Sequence, residues 1–155
     1  MQIGMIEAFQ LPLIRQNLLD FIQRFGDKRI THKAIRWLDV LSVDELKQRG
    51  NGIAIAIERG ELIGVLVVAQ FGIHHSFIAV HNDHRKRGIA KLLLREVTKR
   101  MDRFYARIAM DNIPSLSTSF SIGMVAIEVV KGPTGKPTLL LGWGNWDREN
   151  FPNKM

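Results

Sequence analysis

The chain has 155 residues, a formal net charge of +7 and no cysteine. The missing cysteine excludes disulfides, thiolate metal sites and a covalent cysteine intermediate, and it fits a reducing compartment. Apolar residues at 46% suffice for a core, charged residues at 24% argue against disorder, and the basic balance suits phosphates, nucleic acid or acidic surfaces, or is a basic surface with no specific partner.

Residues 1–10 lack the basic stretch and apolar block of a signal peptide. The longest apolar run, near residues 62–69, is interrupted by Gly64 and falls short of the span of about 20 residues that a membrane requires. No repeat, low-complexity tract or Pro/Gly-rich linker divides the chain. A soluble, cytoplasmic protein with a single domain over residues 1–155 is expected.

Residues 1–9 read as a short first strand. Pro12 suits the first turn of a helix, where its missing N–H has no partner to lose. Ile14, Leu18, Phe21, Ile22 and Phe25 follow at helical spacing, with Gly26 as the stop. A second helix is expected over residues 31–41, with Ile35, Leu38 and Leu41 as its apolar stripe. Ser42 and Glu45 form a capping-box pattern for one more short helix, ended by Gly50. The period then changes. Ile53, Ile55 and Ile57 alternate along residues 52–58, Arg59-Gly60 is a turn signal, and residues 61–70 are rich in Leu and Val, which together predict a β-hairpin. Residues 74–80 are a further strand. The strongest helical pattern covers residues 88–103, where Ile89, Leu93, Val97 and Met101 face inward and Lys91, Arg95 and Lys99 outward. A strand over 104–110, a helix or turn over 115–122, and strands over 125–130 and 137–141 around the loop of residues 131–136 complete the order. The tail from 142 onward is polar apart from Trp143, Trp146 and Phe151 and has no assigned element. The layout is α/β with a mixed sheet.

One segment carries a chemical signal: Phe77-Ile78-Ala79-Val80-His81-Asn82-Asp83-His84-Arg85-Lys86-Arg87-Gly88-Ile89-Ala90. A strand runs into a basic loop with a glycine, and a long helix begins at once. The first N–H groups of a helix have no intrahelical partner and point outward, and the helix dipole adds partial positive charge there. Such a start binds a phosphate or pyrophosphate. Gly88 has no Cβ to hold a ligand away from the backbone, and Arg85, Lys86, Arg87 and Lys91 surround the same point. A solvated basic loop capping an ordinary helix fits these residues equally well. The P-loop pattern and the Gly-x-Gly-x-x-Gly dinucleotide pattern are both absent.

Arg85-x-x-Gly88-x-Ala90 at a strand-to-helix junction resembles the Arg/Gln-x-x-Gly-x-Gly/Ala signature of the GNAT superfamily of acyl-CoA-dependent N-acetyltransferases. Ile78 and Val80 precede it at the matching strand positions. The hairpin over residues 53–68 resembles the family's second and third strands, and Asn112 followed by Gly123-Met124 resembles a later pattern in which an asparagine precedes a Gly-Phe pair. The likeness covers residues 50–141. It implies a GNAT-like, mixed and mostly antiparallel central sheet flanked by helices, with a splayed strand pair that holds the cofactor.

The resemblance also implies roles. The strand of Ile78 and Val80 would pair its backbone with the pantetheine amides of acetyl-CoA or another acyl-CoA. The N–H groups from Arg85 through Lys86, Arg87, Gly88 and Ile89 to Ala90 would cradle the pyrophosphate. Arg85, Lys86 or Lys91 would reach the adenosine phosphate, and Asn112 would hold the pantetheine arm or acyl end, unless it is only a helix cap or turn residue. An unknown amine would attack the thioester directly, with no metal, and an N–H near Val80 would hold the oxyanion. The family often places a tyrosine acid seven residues after the asparagine, but here the position is Ser119, a poorer acid or a mere helix-surface residue. The only tyrosine is Tyr105. His74 and His75 are candidate bases, with His75 preferred, and each is also explained by packing or solvation. Glu58 and Glu128 are weaker candidates, acting through water. His81 and His84 would add to the phosphate environment.

Two other readings stand beside this one. A catalytically weak acyl-CoA-binding sensor or accessory domain is motivated by Ser119. Nucleic-acid binding is motivated by the charge, but the basic residues are dispersed and no stacking motif is present. The acceptor loops implied by the resemblance, residues 26–31 and 131–136, are basic or neutral. They favour an acidic or carboxylate-bearing amine over an aminoglycoside or polyamine, which needs an acidic pocket. A homodimer is compatible with the fold.

Overall fold

The computed structural model describes residues 1–132 and 135–151. Pro133 and Thr134 of the loop before the last strand, and residues 152–155 of the tail, lie outside the described residues. The elements in chain order are β1 (Gln2–Met5), α1 (Leu11–Phe25), α2 (His32–Val40), α3 (Val43–Lys47), β2 (Gly52–Glu58), β3 (Glu61–Ala69), β4 (His75–Val80), α4 (Ile89–Thr98), β5 (Arg103–Ala109), α5 (Ile113–Ser121), β6 (Val125–Lys131) and β7 (Pro137–Gly144). Short 3-10 turns precede α1 and follow β3, β4 and β7.

Local chemistry explains several boundaries. Pro12 lies in the first turn of α1, and Gly26 closes it. The Thr31 hydroxyl accepts from the Ala34 N–H at 3.1 Å and starts α2. Ser42 and Glu45 form the reciprocal capping box of α3, at 3.0 and 3.1 Å. That helix ends at Lys47, ahead of Gly50, as the chain turns out through Gln48.

The strands form two antiparallel sheets in the orders β1-β2-β3-β4 and β5-β7-β6. Helices α1, α2 and α3 cover one face of the first sheet, burying Leu18, Leu38 and Leu46 against Ile53, Val65, Val67, Phe77 and Ala79. The opposite face packs on α4, with Ala54, Ala56, Leu66 and Val68 against Ile89, Leu93 and Val97. The alternating isoleucines of β2 mark only its first face. Ala54 and Ala56 are both 0% exposed on the second, so this strand is buried on both sides. Small residues there let α4 approach: a Cβ added to Gly64 would lie 2.9 Å from Ile89 and 3.1 Å from Leu93.

Helix α4 ends at Thr98, not at Arg103 as its periodicity predicts. Met101 remains buried at the next position of the stripe. The backbone has by then turned, and Arg103 pairs with Gly144 as the first residue of β5. The tail, which has no pattern in the sequence, docks on the core. β7 continues to Gly144, and the Tyr105 hydroxyl accepts from the Asp147 N–H and the Asn150 Nδ2, both at 2.8 Å. Phe151 packs edge-on against the Tyr105 ring at 4.8 Å and is 3% exposed.

Candidate active site

The two sheets meet at the beginning of β4. There Arg107 of β5 donates a hydrogen bond to the Ile73 carbonyl. The Tyr105 carbonyl also lies against Gly72. No strand pairing between β4 and β5 continues from that point, so β4 is an edge strand of its sheet. The His81 N–H donates to the Ile63 carbonyl on β3 at 2.9 Å. Main-chain groups alternate direction along an antiparallel strand, so those of Ala79 and Phe77 also face β3, and those of Val80, Ile78 and Ser76 face the open edge. The side chains of Ile78 and Val80 are half-buried and pack on the α4 side of the core.

The open edge leads into the basic loop. His84 N–H donates to the His81 carbonyl at 2.9 Å, closing a tight turn. Lys86 and Gly88 then adopt positive φ angles of 64° and 77°. Gly88 is the N-cap of α4, and a Cβ built on it meets nothing within 4 Å. The first helical bond is Leu92 N–H to Gly88 O at 3.1 Å. The N–H groups of Ile89, Ala90 and Lys91 therefore precede the intrahelical ladder and point out of the helix start. Ile89 itself is 2% exposed, with its side chain in the core.

The arginine side chains of the loop are exposed but tied back to neighbouring elements. Arg85 donates from Nε to Val80 O at 3.3 Å and from Nη2 to Phe25 O at 3.0 Å, tying the loop to the end of α1. Its guanidinium is thus engaged away from the position the sequence offers it, at a phosphate. Arg87 makes a two-pronged pair with Glu58 at 3.1 and 3.2 Å, and His84 lies 3.3 Å from the same carboxylate. The Arg87 hydrogen bond holds the Glu58 carboxyl below the usual carboxylate range. Glu58 therefore latches the loop to the hairpin, and it is not placed as a base. Glu128 is paired with Arg148. Lys86 is exposed and Lys91 half-buried at the loop surface. His81 stacks on Phe25 at 4.2 Å, and its Nδ1 accepts from the Asp83 N–H.

The other predicted residues lie apart from this loop. Asn112 is the half-buried N-cap of α5, just past β5, and its side chain makes no capping hydrogen bond. Ser119 is 4% exposed on the same helix, so it is an inward residue and not a surface one. His75 starts β4, about 17 Å of strand from Val80 at the usual rise per residue. Burial first, then the charges of His74, Arg107 and Lys33, push its imidazole down to about 4. His75 is therefore neutral at physiological pH and a weak base. Tyr105 is fully buried with its hydroxyl committed to the tail.

Three residues missed in the sequence reading gather around His75. Trp37 of α2 lies 6.1 Å from its ring, Lys33 sits one helical turn before Trp37, and Arg107 reaches over from β5. Nothing in the local sequence marks them. Nearby, Asp111 joins Lys136 at 3.0 Å and Arg29 at 3.5 Å, linking three loops. Among the described residues no group of three or more His, Asp or Glu is placed to hold a metal ion, and no helix is long and apolar enough to cross a membrane.

Residues 48–118 match the family model described as an acetyltransferase (GNAT) domain. That match covers 71 of the 155 residues, from the end of α3 to the middle of α5. Solved structures share the GNAT fold across nearly the whole length of the chain. The yncA protein from Salmonella typhimurium, solved with its cofactor acetyl-CoA, is 14% identical over 100% of this chain and 99% of its own, with a TM-score of 0.63. The ribosomal-protein-S18-alanine N-acetyltransferase from Escherichia coli is 12% identical over 95% and 96%, with a TM-score of 0.63. A GNAT-family acetyltransferase from Streptococcus pneumoniae is 15% identical over 92% and 97%, at 0.61. At these identities the likeness concerns the GNAT fold alone. No curated protein sequence matches the chain.

Proposed function

We propose that this GNAT domain is an N-acetyltransferase that moves an acetyl group from acetyl-CoA to an amine by direct attack in a ternary complex. One observation carries the proposal. The main-chain edge of Ser76, Ile78 and Val80, unpaired with any strand and with only the Val80 carbonyl taken by Arg85, runs straight into the outward N–H groups at the start of α4. An extended amide-bearing arm pairs with such an edge as an added strand would, and its pyrophosphate then falls on the helix start. Lys86 and Lys91 are the cations positioned to meet a further phosphate, while Arg85 and Arg87 hold the loop in shape. Asn112, across the opening, has a side chain that does not cap its helix and can hydrogen-bond the arm.

In this arrangement the amine nitrogen bonds to the thioester carbonyl carbon. Negative charge develops on the carbonyl oxygen, and the N–H of Val80 or Ile78 on the open edge is the donor for it. The carbon–sulfur bond then breaks and CoA departs as the thiolate. A thiol with a pKa of about 8.5 leaves without strong acid assistance, so the absence of a tyrosine at position 119 is no barrier to transfer. The amine proton passes to water, since His75 is too weak a base to hold it.

The serine at position 119, where the resemblance expects a tyrosine acid, motivates a second reading, a domain that binds acyl-CoA and transfers slowly. Calorimetry with acetyl-CoA, followed by thiol release against an amine panel, tests both. Acetyl-CoA at a hundred times its Kd should stabilise the fold by about 2.7 kcal/mol. Absence of any binding heat at millimolar acetyl-CoA overturns the proposal. Binding with no thiol release above the hydrolytic background for any amine leaves the sensor reading.

A further inference from the structure

A carboxylate stands beside the loop that is to receive a diphosphate. Glu58 ends β2 and its side chain is 26% exposed. It takes both prongs of the Arg87 guanidinium, at 3.1 and 3.2 Å. Arg87 Nη1 also meets His84 Nδ1, and since a guanidinium only donates, that ring nitrogen is the acceptor. Arg87 is thus held by the two carboxylate oxygens and one imidazole nitrogen. On its other side the loop is held by Arg85, through the Val80 and Phe25 carbonyls. Lys86 lies between the two tied arginines with φ 64°. A residue with a Cβ rarely takes that region and keeps it only where its surroundings over-determine it. The two ties supply that restraint, and the turn they fix leads directly into Gly88 and the outward N–H groups of α4.

We propose that Glu58 is a positioning residue for acetyl-CoA: by locking Arg87 it fixes the left-handed turn at Lys86, and so strengthens the binding of an anion despite its own negative charge. The assignment rests on the transferase reading above and concerns how the same site is held ready. A loop already fixed in its binding shape loses little freedom when the ligand arrives. Freeing one residue of such a loop weakens binding on the order of tenfold. In the opposite arrangement Arg87 leaves Glu58 and meets a phosphate itself. It then surrenders all its acceptors and leaves a carboxylate without its cation beside the incoming charge. Glu58 there competes with the ligand, so removing its charge tightens binding. The two arrangements differ in the sign of one measurement.

Titration calorimetry of the full chain with acetyl-CoA measures that sign. Glu58→Gln should weaken the Kd roughly tenfold, although it removes a negative charge. Glu61→Gln takes the same charge from the facing residue of the hairpin and should leave the Kd unchanged. Arg87→Gln should weaken binding by a similar factor, and the double variant no further than either single one. Exchange of the pair, Glu58→Arg with Arg87→Glu, should recover most of the loss. The loss should be as large for acetyl-CoA lacking its ribose phosphate, because the latched turn faces the diphosphate. These side chains lie at the surface, and circular dichroism with Tm confirms that each variant is folded. The positioning role is overturned if wild type binds and Glu58→Gln binds equally or more tightly, or if Glu61→Gln loses as much. It is also overturned if the exchanged pair binds no better than the single variants, or if the loss needs the ribose phosphate. In each of those cases acetyl-CoA binding stands. If wild type does not bind acetyl-CoA at all, the role falls together with the transferase reading.

Discussion

Gly88 and Gly60 make a matched pair. Gly60 sits in the β2–β3 turn with φ +75°, Gly88 at the start of α4 with φ +77°, and a Cβ on either meets nothing within 4 Å. Alanine at each position must adopt the left-handed region, which costs roughly 1–2 kcal/mol, partly offset by the less flexible unfolded chain. A net loss of about 1 kcal/mol is expected at both sites, lowering Tm by about 2–4 °C for a chain of this size. Acetyl-CoA should separate them. The new methyl at position 88 stands where a pyrophosphate approaches the helix-start N–H groups. Loss of a single hydrogen bond to a charged oxygen there costs about 1.5–3 kcal/mol, a Kd weakened roughly ten- to hundredfold. Gly60→Ala should leave the Kd unchanged. Thermal denaturation and titration calorimetry on the two variants measure both quantities. Equal acetyl-CoA affinity in Gly88→Ala, Gly60→Ala and the wild type would refute the phosphate site while leaving the fold intact.

Two further outcomes test the rest of the molecule. Tyr105→Phe removes the acceptor of the Asp147 N–H and Asn150 Nδ2 bonds, so it should cost about 1–3 kcal/mol by leaving donors unpaired and speed amide exchange over residues 147–151. A change below about 0.5 kcal/mol would show that the tail is not anchored there. His75 has its proton affinity depressed from 6.5 to about 4. The unfolded chain then takes up a proton before the folded one does, so the contribution of His75 is complete above pH 6.5 and is lost as pH falls towards 4. After discounting for partial exposure the loss is on the order of 1–2 kcal/mol. His75→Gln should flatten the decline in Tm between pH 7 and pH 4.5, and parallel declines in variant and wild type would refute the assignment.

Much of the fold is legible because its signals are local. Pro12 and Gly26 bound α1, Ser42 and Glu45 bond each other across one helical turn, and the isoleucines of β2 alternate over a few residues. The strand, basic loop and helix that form the candidate phosphate site are continuous in the chain, so their order could be read directly. The double-sided burial of β2 could not, because alanine is equally at home inside and outside. The end of α4 was misplaced because Met101 keeps the helical spacing after the backbone has turned.

The side chains within the site follow a different rule. Arg85 finds its partner in the Phe25 carbonyl 60 residues away, and Arg87 finds Glu58 29 residues away. A cation's chemical type in a sequence states what it can bind, but not which carbonyl or carboxylate the fold brings beside it. The same holds for Tyr105 with the tail, and for Lys33, Trp37, His75 and Arg107, which come from three elements. What the sequence by itself determined was the run of helices and strands and the helix start with outward N–H groups, because backbone hydrogen bonding and apolar period act over neighbouring residues. The parting of the sheets at β4 was implied only by the family resemblance, and only the tertiary structure decided the partners of each charged group, because those depend on contacts between residues far apart in the chain.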